Sequence, residues 1–126
     1  MTMRPKPESE RPLRQQLQVF DLQETANQLR AEPTWQTGRN SITLRKAPGL
    51  QLVLLAMQAG DHLREHQTAG PITLHVISGS VRFATADDSV ELGSQTVVAL
   101  DGSVPHSVEA LEESVCLLSI GGAAQQ

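Results

Sequence analysis

Aromatic side chains are scarce in this chain of 126 residues: Phe20, Trp35 and Phe83 are the whole set, and tyrosine is absent. Surfaces that hold single-stranded nucleic acid stack bases on such rings, so that mode of binding lacks its platform. Positive charge is also short. Ten Lys and Arg stand against fourteen Asp and Glu, a formal net charge of −4, and Arg4, Lys6, Arg11 and Arg14 are merely scattered along the N-terminus. Phosphate binding needs a concentrated positive surface, so no nucleic acid partner is expected. No apolar segment reaches the ~20 residues that span a bilayer, and MTMRPKPESERP lacks the apolar stretch of a signal peptide. The expectation is a cytoplasmic protein with no membrane partner. Cysteine occurs once, as Cys116 within SVCLLSI. That setting fits a small buried filler in a reducing compartment, with nothing basic nearby to activate the thiol. There is no GxSxG elbow and no glycine-rich phosphate loop.

The length suits one domain, since domains commonly run roughly 100–150 residues. Residues 1–14, with Pro5, Pro7 and Pro12 among charges, are expected to form a flexible arm. Residues 15–36 are expected to form a helical N-terminal segment. In DLQETANQLRAEP, Asp21 is an N-cap candidate with Glu24 three residues on, Leu22, Ala26 and Leu29 recur at near-helical spacing, and Pro33 is a stop. This predicts one short helix over 22–31, whose narrow apolar face must dock on something else.

From Asn40 onward the period changes to two. SITLRK, LQLVLLAM, PITLHVIS, SVRFAT, SVEL, QTVVAL, HSVEA and SVCLLSI read as strands, separated by turn signals at Ser78-Gly79, Asp87-Asp88, Gly93-Ser94 and Asp101-Gly102. Asp87 and Asp88 read as a hairpin tip, and EALEES at 109–114 as a loop. Eight or so short strands without a second helix predict an all-β sandwich or barrel over residues 40–122.

That strand series, with a His after the Gly60 turn and another in VPHSVEA, resembles the cupin family over roughly residues 40–120. Cupins are small double-stranded β-helix, jelly-roll-like barrels. One family motif runs Gly, five residues, His-x-His, three or four residues, Glu, six residues, Gly; the other runs Gly, five residues, Pro-x-Gly, two residues, His, three residues, Asn. In the family the two His and the Glu of the first motif and the His of the second hold one divalent metal. Here the first motif falls on Gly60, His66, Thr68, Ile72 and Gly79 with every spacing kept, so Thr68 stands at the second His and Ile72 at the Glu. The second falls on Gln95, Asp101, Ser103, His106 and Ala110, and keeps only His106. The resemblance implies that His66 and His106 point inward near the barrel mouth, and that small cupins pair as homodimers through their sheets.

The residues can also be read without the family. Successive strand residues alternate faces, so Ile72, Leu74 and Val76 share one face and Thr73, His75 and Ile77 the other. If Ile72 faces the lumen, as the resemblance implies, His75 faces outward. His62 lies four residues before His66. Along a plain strand their Cα atoms would be ~13 Å apart, against ~6.6 Å for a His-x-His pair. A looped DHLREH would bring them closer and make His62 a third metal ligand beside His66 and His106. Glu65, Gln67 and Thr68 are candidate oxygen donors. Two His alone are an incomplete shell, because tight sites use three or four protein ligands.

Ile72 in place of a carboxylate removes charge that would balance a divalent ion and adds apolar bulk. The expected lumen is therefore apolar, built from Val53, Leu55, Met57, Ile72, Leu74 and Val76 or their strand neighbours. With His66, His106 and Thr68 it forms the expected ligand site for a small, mostly apolar molecule. The alternative expectation is a metal-dependent enzyme of the isomerase, lyase or dioxygenase type on His66 and His106, with Zn, Mn, Fe or Ni. A homodimer is also expected from LQLVLLAM, whose two apolar faces both need cover.

Overall fold

The computed structural model describes residues 12–122. The first helix, α1, spans Leu22–Ala31 as the capping signals predict. The Asp21 carboxylate accepts the Glu24 N–H at 3.0 Å, satisfying one of the donors that a helix start leaves open. Glu32 turns extended ahead of Pro33, which ends α1 and opens a single 3-10 helix, Pro33–Thr37. Proline fits there because a first-turn residue needs no N–H.

Nine strands follow among the described residues: β1 Arg39–Ala47, β2 Leu50–Met57, β3 His62–His66, β4 Ile72–Ser78, β5 Ser80–Ala84, β6 Ser89–Gly93, β7 Thr96–Leu100, β8 His106–Ala110 and β9 Ser114–Gly121. Eight of them match the alternating segments of the sequence. The ninth, β3, is HLREH, which carries no simple alternation. All neighbouring strands pair antiparallel, in a five-stranded sheet of order β1-β2-β9-β4-β7 and a four-stranded sheet of order β3-β8-β5-β6. The β6 and β7 edges adjoin, joined by a short turn, and close one side of the barrel. On the other side the edges of β1 and β3 share no ladder among the described residues, so the barrel is open there.

The inner faces meet in one core. Leu55 and Met57 of β2 pack with Ile72, Leu74 and Val76 of β4, and Phe83, Val108 and Cys116 complete it from the other strands. Gly79 makes the sharp β4–β5 turn with φ +88°, and a Cβ there would collide with the Glu113 carbonyl and Ser114. Only glycine meets both demands.

A second core lies outside the five-stranded sheet. Ala26 and Leu29 of α1, 3% and 0% exposed, pack on Ile42, Leu44, Leu54, Ala56 and Val115. A ten-residue helix is marginal alone, and burying a Leu of this kind contributes roughly 1.5–3 kcal/mol. This changes the reading of LQLVLLAM: its odd residues face the barrel and its even residues face α1, so both apolar faces are covered within one chain. The two-faced character of that strand is no longer an argument for a dimer.

The expected arm lies outside the described residues as far as residue 11. Within it Leu13 is docked, its carbonyl accepting the Lys46 N–H at 3.0 Å, and just beyond it Arg45 donates to the Gln15 carbonyl and the Gln18 Oε1. No helix among the described residues is long and apolar enough to cross a membrane.

Candidate functional site

The β3–β8 ladder positions the two motif histidines. His106, Val108 and Ala110 alternate with Ser107 and Glu109, and the first three are buried, so His106 points into the barrel. On β3, Leu63 pairs with Val108 and His66 with His106, although Leu63 and His66 are three positions apart and their partners only two. Residues an odd number apart face opposite ways along a plain strand. The extra residue at Arg64–Glu65 is a β-bulge, and it returns His66 to the inner face that Leu63 occupies. The His66 and His106 rings lie 4.3 Å apart between centroids, tilted by 58°, and Phe83 stacks on the other side of His106 at 5.4 Å. Each imidazole uses Nδ1 in the same way: His66 donates to the Arg64 carbonyl and His106 to the Val104 carbonyl, both at 2.9 Å. A carbonyl only accepts, so each Nδ1 carries a proton and neither bond engages Nε2.

The connecting loops hold this pair of strand ends together. The Ser103 N–H donates to the Thr68 carbonyl at 2.7 Å, and Gly102 runs so close to Ala69 that a Cβ would strike its carbonyl. Thr68 gives its hydroxyl proton to the Gly70 carbonyl at 2.9 Å.

The remaining sequence candidates lie apart. His62 pairs with Glu109, so it faces outward beside the charged surface of the four-stranded sheet. There Arg82 donates to both Glu91 and Glu109, and its guanidinium is held above its usual range, chiefly by the hydrogen bond to Glu91. The bulge therefore separates His62 from His66, which a looped DHLREH would have brought together. His75 pairs with Val97 and Leu117 on the outer face of the five-stranded sheet, as the parity argument predicts. Among the described residues no group of three or more His, Cys, Asp or Glu side chains could hold a metal ion. Ile72 is 3% exposed in the apolar core, so the place of the family carboxylate carries no oxygen donor. Two imidazoles without a carboxylate do not fit a tightly bound divalent ion.

The expected cavity around Ile72, Leu74 and Val76 is filled, since these side chains are 3%, 3% and 0% exposed and pack against one another. The open part of the lumen lies at the β1–β3 side. A cleft of about 460 Å³ has Val53, Leu55, Leu63 and Leu118 as its apolar lining and Thr34, Thr37, Arg39, Asn40 and Ser41 along its polar side. Leu63 ties it to the imidazole pair, which follows on the same inner face one bulge further along β3. Sequence reasoning named Val53 and Leu55 but not Arg39, Leu63 or Leu118. The lone apolar residue inside HLREH was the available signal for Leu63.

Cys116 lies in the core at 0% exposure, and burial pushes its thiol up to about 12 from an ordinary value of 9.0. It is inert filler, with no thiolate available near neutral pH.

Two antiparallel sheets closed along one side, with the motif histidines on facing inner positions, define a double-stranded β-helix barrel. The fold is that of the cupins. A cupin superfamily protein from Desulfitobacterium hafniense superposes with a TM-score of 0.64 at 16% identity, covering 66% of this chain and 76% of that one. A conserved protein of unknown function from Streptococcus pyogenes gives 0.69 at 19% identity, over 85% and 89%. A variant of salicylate 1,2-dioxygenase from Pseudoaminobacter salicylatoxidans gives 0.78 at 14% identity, over 94% of this chain but 39% of that enzyme. The same dioxygenase variant has been crystallised in complex with gentisate. No family profile matches the sequence, and no curated protein does.

Proposed function

We propose that this cupin-fold barrel binds a small, mostly apolar molecule in the lumen cleft, in the cytoplasm, with at most weak metal binding. The cleft carries the reading: about 460 Å³ of space, four apolar side chains and a rim of hydroxyls fall within the usual size and lining of small-molecule sites. In this reading His66 and His106, with Thr68, supply polar contacts to the bound molecule, and Ile72, Leu74 and Val76 supply the apolar core that Leu55 and Leu63 share with the cleft. Support for weak metal binding comes from the donor set, two imidazoles with Ile72 in the place of the carboxylate.

The test is native mass spectrometry of protein purified without an affinity tag, alongside elemental analysis. A co-purified small molecule with substoichiometric metal is the expected result. Near one equivalent of metal per subunit, lost in His66→Ala and in His106→Ala, would sink it. That outcome belongs to the alternative, a metal-dependent enzyme of the isomerase, lyase or dioxygenase type using His66 and His106 with Zn, Mn, Fe or Ni. Its supporting observation is the shared Nδ1 hydrogen bond, which leaves both Nε2 atoms as potential ligands.

Two copies are further proposed to pair through the outer face of β4 and β7. Thr73, His75, Val97 and Ala99 share that face without an Asp, Glu, Lys or Arg, and Val97 is 58% exposed. The outer face of the other sheet instead carries Arg82, Glu91 and Glu109. An uncharged face meets its own copy without repulsion. Sedimentation of a Val97→Lys variant tests this, a native-like monomer being expected and an unchanged dimer ruling the face out.

A further inference from the structure

The lumen cleft has a charge of one sign. Arg39 is the only ionisable residue among the described residues that line it. The side-chain hydrogen bond that Arg39 makes among the described residues runs from one terminal nitrogen to Asp61 Oδ2 at 2.9 Å. Asp61 does not line the cleft. It sits on the turn between β2 and β3 with its side chain 20% exposed. Gly38 gives it room, since a Cβ there would lie 2.9 Å from its Oδ1. The guanidinium is thus anchored at one end, and the planar fork keeps further N–H donors for a second acceptor.

An anchored guanidinium beside an apolar surface, with no acid in the lining, favours a ligand that brings a carboxylate to Arg39 and an apolar body to Val53, Leu55, Leu63 and Leu118. A cationic ligand would find no acid among the lining residues to pair with, and a purely hydrocarbon one would leave the remaining N–H donors of Arg39, whose side chain is 42% exposed, to water alone. The geometry points to a small monocarboxylate with an apolar body as the ligand class of this cleft, and Arg39 as the group that reads the carboxylate. The inference rests on the cleft being the binding site.

The experiment uses matched probes, hexanoate against hexanamide and benzoate against benzamide, titrated into the full chain and followed through the Val and Leu methyl resonances by NMR. Because charge-assisted hydrogen bonds outweigh neutral ones, the acids are expected to bind about tenfold more tightly than their amides. Arg39→Gln is expected to bring each acid down to its amide and to leave the amide where it was, while Arg39→Lys retains part of the preference. Unchanged amide binding also reports that Arg39→Gln keeps the folded cleft. Equal binding of acid and amide to the native protein would overturn the carboxylate class and leave cleft binding standing, and a preference that survives Arg39→Gln would overturn the role of Arg39. Failure of both acid and amide to shift the Val53, Leu55, Leu63 and Leu118 methyls would overturn the cleft itself, and this inference with it.

Discussion

His66 and His106 face each other across the β3–β8 ladder at 4.3 Å between ring centroids, yet one is exposed and the other only 3% exposed. The two rings therefore differ in what they do for the fold. His106 is wedged between His66 and Phe83, so truncating it opens a void in a packed interior. His106→Ala is expected to cost about 2–4 kcal/mol in denaturant unfolding, and His66→Ala less than about 0.5 kcal/mol. Equal costs would mean that the pair acts as one structural unit.

Gly60 and Gly79, the two glycines of the first motif, both have positive φ, +87° and +88°. The only non-glycine residues with positive φ among the described residues are Gln95 and Ser103, at +69° and +67°. These are the two positions where the second cupin motif has glycine. At both positions the backbone takes a conformation that glycine adopts freely, so the chain carries local strain that glycine would relieve. Gln95 recovers something through its side-chain amide, which donates to the Ile77 carbonyl at 3.3 Å. Ser103 has no such side-chain bond among the described residues. Ser103→Gly is expected to stabilise the protein by about 0.5–1 kcal/mol, the strain relieved exceeding the added entropy of the unfolded chain. A lower midpoint in urea would show that the serine side chain contributes something the backbone angle does not reveal.

How much of this was legible in the sequence depends on whether the signal is local. Helix α1 could be read to the residue because its cap, its stop and its spacing all lie within thirteen residues. The inward set Ile72, Leu74 and Val76 followed from strand parity alone. Parity failed at β3, where the bulge puts Leu63 and His66 on one face and His62 on the other, a spacing that matches neither period of two nor a helix. The cover over β2 was also hidden, because two apolar faces say that something packs on each without saying that α1 does. The open cleft depends on β1 and β3 being unpaired edges of different sheets, a relation that no single segment records.

Burial of Cys116 gives stability a pH dependence of known sign. Folding raises the thiol from 9.0 to about 12, so above pH 9 the unfolded state loses a proton that the native state keeps. The contribution is fully present below about pH 9 and declines toward pH 12, by up to about 1.4 kcal/mol per pH unit. Urea unfolding at pH 8, 9 and 10 should show the native protein losing stability faster than Cys116→Ala, which lacks the thiol. Parallel curves for the two proteins would refute the shift.

Asn40 fastens α1 to the barrel, and its replacement separates hydrogen bonding from charge. Buried at 6% exposure, it donates from Nδ2 to the Leu29 carbonyl at 3.0 Å and to Glu32 Oε1 at 2.8 Å, while its Oδ1 accepts the Ser41 N–H at 3.0 Å. Asn40→Ala removes two donors and one acceptor from a site that water reaches poorly, at an expected cost of about 2–3 kcal/mol. Asn40→Asp keeps the acceptor but sets a second carboxylate against that of Glu32. Two such groups held together resist simultaneous ionisation, so the aspartate variant should be the less stable of the two at pH 7. Lowering the pH protonates one carboxyl of the pair and restores a donor between them. Asn40→Asp should then gain on Asn40→Ala as the pH is lowered from 7 in denaturant unfolding. A constant gap would mean that Glu32 turns away from residue 40 once the amide is lost.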